Sequence, residues 1–241
     1  SATTPAPPPA ATTGAGSGAA PTPAHATSAP SDGGPPPFHV NVLADNWDTQ
    51  CGEWFLLQQQ PGKVPPPPSL DRTDAWASAL GGVPAGHLRL QLTAQTDATR
   101  PIVLHALYVH VVSSRPAPKG TAYTPGSGCG GNLEPAAFAV DLDAAAPRAR
   151  PVPGYVGSGT TRTLSTFPYL ISATDPQVLD VDAGTAGRDV SWYLELSWSS
   201  GDRSGTVPID NHGRPFRTVG LRGDPAYFYD GTAWSRTGVD D

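Results

Sequence analysis

Methionine is missing from this 241-residue sequence, and cysteine occurs only twice. Charged residues make up just 15%, and lysine is nearly absent, with 2 Lys beside 13 Arg. No apolar run approaches the roughly 18 residues that span a bilayer, so this stretch of chain holds no membrane helix. Scarce charge and dispersed proline exclude a coiled coil or a helical bundle. The formal net charge of -6, with arginines scattered along the chain, argues against a nucleic-acid partner, which selects a clustered basic face. No G-x-S-x-G elbow, H-E-x-x-H helix or EF-hand loop occurs, and the six histidines fall in no catalytic or metal-binding signature. A non-enzymatic protein without cofactor is therefore the expectation.

What the chain has in abundance is backbone punctuation, 27 Gly and 29 Pro. Residues 1–37 hold only Ala, Pro, Thr, Gly and Ser apart from His25 and Asp32, and the first large apolar side chain is Phe38. Such a segment cannot offset its ordering entropy by burial, which predicts a disordered stalk or linker. Its Pro/Ala/Thr composition suits an extracytoplasmic location. Residues 38–241 are long enough for a substantial core, as one sandwich or two packed sub-sandwiches. Cys51 and Cys129 are expected to form a disulfide, contributing roughly 4–5 kcal/mol in the chain-entropy picture. Their separation lacks metal-ligand spacing.

Period-2 alternation dominates the rest. Leu88, Leu90, Leu92 and Ala94 alternate with Arg89, Gln91 and Thr93, and Val190, Trp192, Leu194, Leu196 and Trp198 with Ser191, Tyr193, Glu195 and Ser197. Ile102–Val112 is apolar on both faces, which predicts a central strand. Further strands are expected at Phe38–Leu43, Cys51–Gln59 and Phe138–Leu142, with a hairpin turn over Ser199–Gly205. Only Asp71–Leu80 reads as helical. The expected fold is all-β, an antiparallel and immunoglobulin-like β-sandwich with one short helix, although the Cys…Trp…Cys spacing of a true immunoglobulin domain is not reproduced.

Two sets of residues stand out as candidate sites. Tyr193 and Glu195, opposite the core face of their strand, and Tyr229 and Trp234 near the C-terminus could contact a ligand, because exposed aromatics stack on sugar rings and prolines. Asp141 with Asp143, and Asp180 with Asp182, are carboxylate pairs read as sharing a strand face. Such pairs could hold Ca²⁺ or work as acid and base on a glycan. The plainer reading is a polar outer face.

The order of motifs resembles a known group. Cys51-Gly52-Glu53-Trp54 is followed by Pro65–Pro68, Trp76, the glycine run Gly128–Gly131 and Val140–Asp143. The run Asp189–Gly205, then Ile209-Asp210 and Pro215–Thr218, completes the pattern. It resembles the C-terminal extracytoplasmic β-sandwich domain of actinobacterial, Streptomyces-type membrane-anchored helix-turn-helix transcriptional regulators. The resemblance implies a non-catalytic sensor or interaction domain outside the membrane, tethered through a segment upstream of Ser1. An envelope protein, a glycan or a small ligand would be its partner. A secreted glycan-binding module, or a glycan-active hydrolase using the paired carboxylates, is the alternative.

Overall fold

The computed structural model describes residues 3–5, 34–44, 53–69, 72–125, 136–153, 155–156, 160–161 and 164–239. The stalk assigned to residues 1–37 falls outside the described residues except for 3–5 and 34–37. The expected Cys51–Cys129 bridge falls outside them altogether. Strands dominate, as the alternation requires. In chain order they are β1 (His39–Leu43), β2 (Trp54–Leu57), β3 (Val83–Ala85), β4 (His87–Gln95), β5 (Ile102–Pro116) and β6 (Thr121–Thr124). Next come β7 (Ala136–Asp141), β8 (Arg150–Val152), β9 (Tyr155–Val156), β10 (Thr160–Thr161), β11 (Tyr169–Ile171) and β12 (Gln177–Gly184). The last are β13 (Arg188–Ser200), β14 (Arg203–Ile209), β15 (Phe216–Val219), β16 (Ala226–Tyr229) and β17 (Trp234–Thr237).

These strands build two sheets and a small β9–β10 ladder. The smaller sheet runs β1-β4-β12-β7-β8, and the larger runs β11-β5-β13-β15-β3-β2-β6-β16-β17, with β14 also paired to β13. The two sheets are layered through one apolar cluster. Leu88, Leu90 and Leu92 of β4, Leu179 and Val181 of β12 and Phe138 of β7 meet Trp192, Leu194, Leu196 and Trp198 of β13 and Leu104 of β5. All are buried, each worth roughly 1.5–3 kcal/mol for a large apolar side chain. The pairings differ from an all-antiparallel reading. β12 runs parallel to β7, β15 to β3 and β16 to β6, so both sheets are mixed. Alternation reports which face is buried and is blind to strand direction, which explains the difference.

The far half of the larger sheet is buried on both faces. On one, α1 (Thr73–Ala79) and Val64 cover Phe55, Leu57 and Tyr123. On the other, Leu56, Ala85, Ala122, Val219, Leu221 and Ala226 cluster with Trp54 and Val239. The helix stops at Gly81, whose φ of 73° favours glycine, and the Gly82 N–H bonds back to the Ala77 carbonyl at 2.7 Å. Asp71, the first residue of the expected helix, is not among the described residues, and Arg72 stands at the N-cap without a side-chain cap bond.

Two other expectations change in detail. The β13–β14 turn is tighter than Ser199–Gly205, because Ser200 already pairs with Arg203 across Gly201 and Asp202. Gly201, at φ 64°, occupies the first central position, as a II′ turn requires. β5 is not a central strand along its length. β13 borders one flank throughout, but β11 covers the other only at Ile102, Val103 and Leu104. At the start of the sheets, β1 pairs with β4 alone over five residues. Just before it, Thr96 Oγ1 donates to the Pro37 carbonyl at 2.6 Å and Arg203 to the Pro35 carbonyl at 2.8 Å.

Candidate functional site

One end of the smaller sheet faces the Trp54–Leu221–Val239 side of the larger one across a cleft of about 1010 Å³. Strand pairing sets what lines it. Gly184 of β12 lies opposite His87 of β4 and Asp141 of β7. One step inward, Asp182 lies opposite Arg89 and Ala139, and Ala139 opposite Arg150 of β8. Small residues, Gly184 and Ala139, thus sit in two rows otherwise made of charged or imidazole side chains. The segment Leu221–Asp224 closes the far wall.

Three of the four singled-out carboxylates come together here: Asp141, Asp143 and Asp182 all line the cleft. Asp141 and Asp143 do not share a strand face, because β7 ends at Asp141 and Asp143 lies in the turn beyond. Instead the Asp143 N–H donates to Asp141 Oδ1 at 2.9 Å, an Asx-type turn. Asp143 in turn accepts from Thr185 Oγ1 at 2.6 Å and from the Ala186 N–H at 2.8 Å, tying two loops together. Asp182 meets His87 Nδ1 at 2.7 Å and accepts from Arg89 Nε at 3.3 Å. Burial by itself would raise its pKa, but the His87 hydrogen bond and charge, with Arg89, outweigh that and hold it below the usual range. Across the cleft, Asp224 is shifted the other way by burial, against a long hydrogen bond from the Gly120 N–H at 3.4 Å.

The remaining charges of the cleft are guanidiniums. Arg150 and Arg222 both line it, and neither side chain makes an ion pair or hydrogen bond among the described residues. The acids are thus engaged by internal donors, while two fork-shaped donor groups stay available, each with five N–H. The arrangement suits an acceptor-rich guest over a cation. Among the described residues no group of three or more His, Cys, Asp or Glu is placed to hold a metal.

The other candidates lie elsewhere. Asp180 is further along the outer face of β12, bonded by Gln91 Nε2 at 3.3 Å, and burial pushes its carboxyl up to about 6. Tyr193 and Glu195 occupy the outer face of β13. Tyr193 stacks on His110 of β5, with ring centroids 4.8 Å apart, and Glu195 lies opposite Tyr108. Trp234 packs edge-on against Tyr123 and Tyr229 and stacks on Trp76, and its indole N–H donates to the Val64 carbonyl at 3.1 Å. Trp234 and Tyr229 therefore belong to the aromatic packing under α1 and are not brought near either Tyr193 or the cleft.

His87, Arg89, Arg150, Arg222 and Asp224 join the site without standing out in the sequence as candidates. Arg89 lies on the wet face of the alternating Leu88–Ala94 strand, but nothing local announces that β4, β8 and the Leu221–Asp224 segment converge. The chain matches no protein-family model, no curated protein and no solved structure.

Proposed function

We propose that this chain is a non-catalytic recognition domain, the outward-facing sensor part of a membrane-anchored regulator, and that the cleft is its ligand site. The observation that supports this most is the pairing pattern inside the cleft: the carboxylates are held by internal donors, whereas Arg150 and Arg222 have no ion-pair or hydrogen-bond partner among the described residues. A polar ligand carrying an acidic group, such as an acidic envelope glycan or a small organic acid, fits that donor surplus. Calorimetric titration with acidic and neutral wall glycans and small carboxylates tests it. Wild type should bind an acidic member, and a combined Arg150→Ala, Arg222→Ala variant should bind it at least about tenfold more weakly, one charge-assisted hydrogen bond's worth. Retained affinity in that variant would rule the cleft out. Placement outside the membrane further predicts that Cys51 and Cys129 resist alkylation until reduced.

A second reading has its own observation. Asp182 and Asp224 line the same cleft with pKa values moved in opposite directions, a pattern used by paired acids in glycoside hydrolysis. It predicts release of reducing ends from a wall glycan that Asp224→Asn abolishes, and an absence of turnover across such substrates rejects it.

A further inference from the structure

The outer flank of β5 offers an interaction surface distinct from the cleft. Beyond Leu104 no strand among the described residues pairs with it, although β5 continues to Pro116. Its backbone donors and acceptors on that flank form a template for another strand. The side chains there are not those of a guarded edge. Tyr108 is 52% exposed, Val111 39% and Val112 57%. Between Pro101 and Ser114 the only titratable side chains are His105, Tyr108 and His110, with no Lys, Arg, Asp or Glu to repel an incoming strand.

We infer that this flank pairs with the same flank of a second copy of the chain, antiparallel, about a two-fold axis between Val111 and Val112. The irregularity in β5 supplies the argument for that occupant. Ser191 pairs with Ser113 and Trp192 with Val111, so Val112 is an extra residue and the strand changes parity there. Tyr108 and Arg115, seven apart, consequently lie on the same outer face, as do His110 and Ser113, opposite Glu195, Asp189, Tyr193 and Ser191 respectively. In the two-fold register Tyr108 of one copy faces Arg115 of the other, and His110 faces Ser113. Arg115 is already oriented by Asp189, with Nη2 2.9 Å from Oδ2, and its side chain remains 70% exposed, so its guanidinium face is free to stack on the partner's tyrosine. Both Tyr–Arg contacts are made at once, Val111 meets Val112 at the axis, and no like charges oppose each other. A seam one strand wide makes a reversible dimer, not an obligate one.

Sedimentation velocity and amide hydrogen exchange on the full chain, from low micromolar to submillimolar concentration, test this. The expected result is a monomer–dimer equilibrium in which amides of residues 108–114 gain protection as concentration rises. Val112→Lys should stay monomeric throughout, with its thermal transition at low concentration unchanged, and Tyr108→Ser should weaken the dimer without altering the fold. A chain that stays monomeric over the whole range overturns the inference. So does concentration-dependent protection outside β5, or a Val112→Lys variant that dimerises like wild type. None of these outcomes depends on whether the cleft binds a ligand.

Discussion

Asp180 and Asp182 point from the same face of β12, two residues apart, and their surroundings move them in opposite directions. Asp182 has His87 and Arg89 as partners, whereas Asp180 has the neutral amide of Gln91. With an unfolded value near 4 and a folded value of about 6, Asp180 binds more protons folded than unfolded across that window. Its carboxyl is accommodated without penalty below pH ~4, and stability is lost as pH rises toward about 6. Asp180→Asn should therefore raise stability by about 1–2 kcal/mol at pH 8 and by little at pH 4, read from urea unfolding at the two pH values. Asp189 has the reverse sign. Hydrogen bonds from Arg217 lower it first, burial opposes them, and Arg115 adds to the lowering. The stability it supplies is present above the unfolded value near 4 and disappears as pH falls below it. Asp189→Asn, which leaves two guanidiniums around a buried amide, should lose roughly 2–4 kcal/mol at pH 7 and far less at pH 2–3.

At the level of elements, the segment after β15 is the tightest join. A Cβ at Gly220 would collide with the Ala186 carbonyl and the Gly187 nitrogen, both backbone atoms. On either side, the Gly220 N–H bonds the Arg188 carbonyl at 2.7 Å and the Arg222 N–H bonds that of Ala186 at 3.1 Å. Gly220→Ala should lower stability by about 2 kcal/mol or more and, by displacing Leu221 and Arg222, also impair ligand binding in the cleft, as thermal melts and titrations would report. Most strands were readable beforehand because one buried face imposes period 2: β4 and β13 lie where Leu88–Ala94 and Val190–Trp198 put them. The inward tryptophans Trp192 and Trp198 and the outward Tyr193 and Glu195 follow from the same rule. Where the apolar pattern covers both faces, it fails to distinguish a strand flanked on two sides from one like β5, most of whose second flank pairs with no strand among the described residues. The cleft was less legible still. Asp141, Asp143 and Asp182 were visible as carboxylates, but their partners come from β4 and from the loop at Thr185–Ala186, and such register information is not local.

For the molecule as a whole, the larger sheet is the shared wall. Its β5–β13–β15 half packs on the smaller sheet, while its β2–β6–β16 half packs under α1. The connection between the halves is narrow: β15 joins β3 through the single Val219–Ala85 pair, backed by the bond from the Gly86 N–H to the Val219 carbonyl at 2.7 Å. Because Trp192 reports one half and Trp76 with Trp234 the other, replacing each in turn by phenylalanine and following fluorescence should give coincident denaturation midpoints if the wall transmits stability across that join. Separated midpoints would make the two halves independent folding units.

The way the chain enters the sandwich gives it a mechanical character. A pull applied ahead of Gly34 would fall first on the bonds to Pro35 and Pro37 and then on β1, an edge strand of the smaller sheet held by five pairs to β4. Phe38, edge-on to Trp198, and Val40 and Val42 share that load, because they pack on the same core as Trp192 and the leucines. Under a steady pull β1 is the strand expected to yield first, because it is held on one side only, and its loss would bare one edge of β4 and leave the β4–β12–β7 pairing intact.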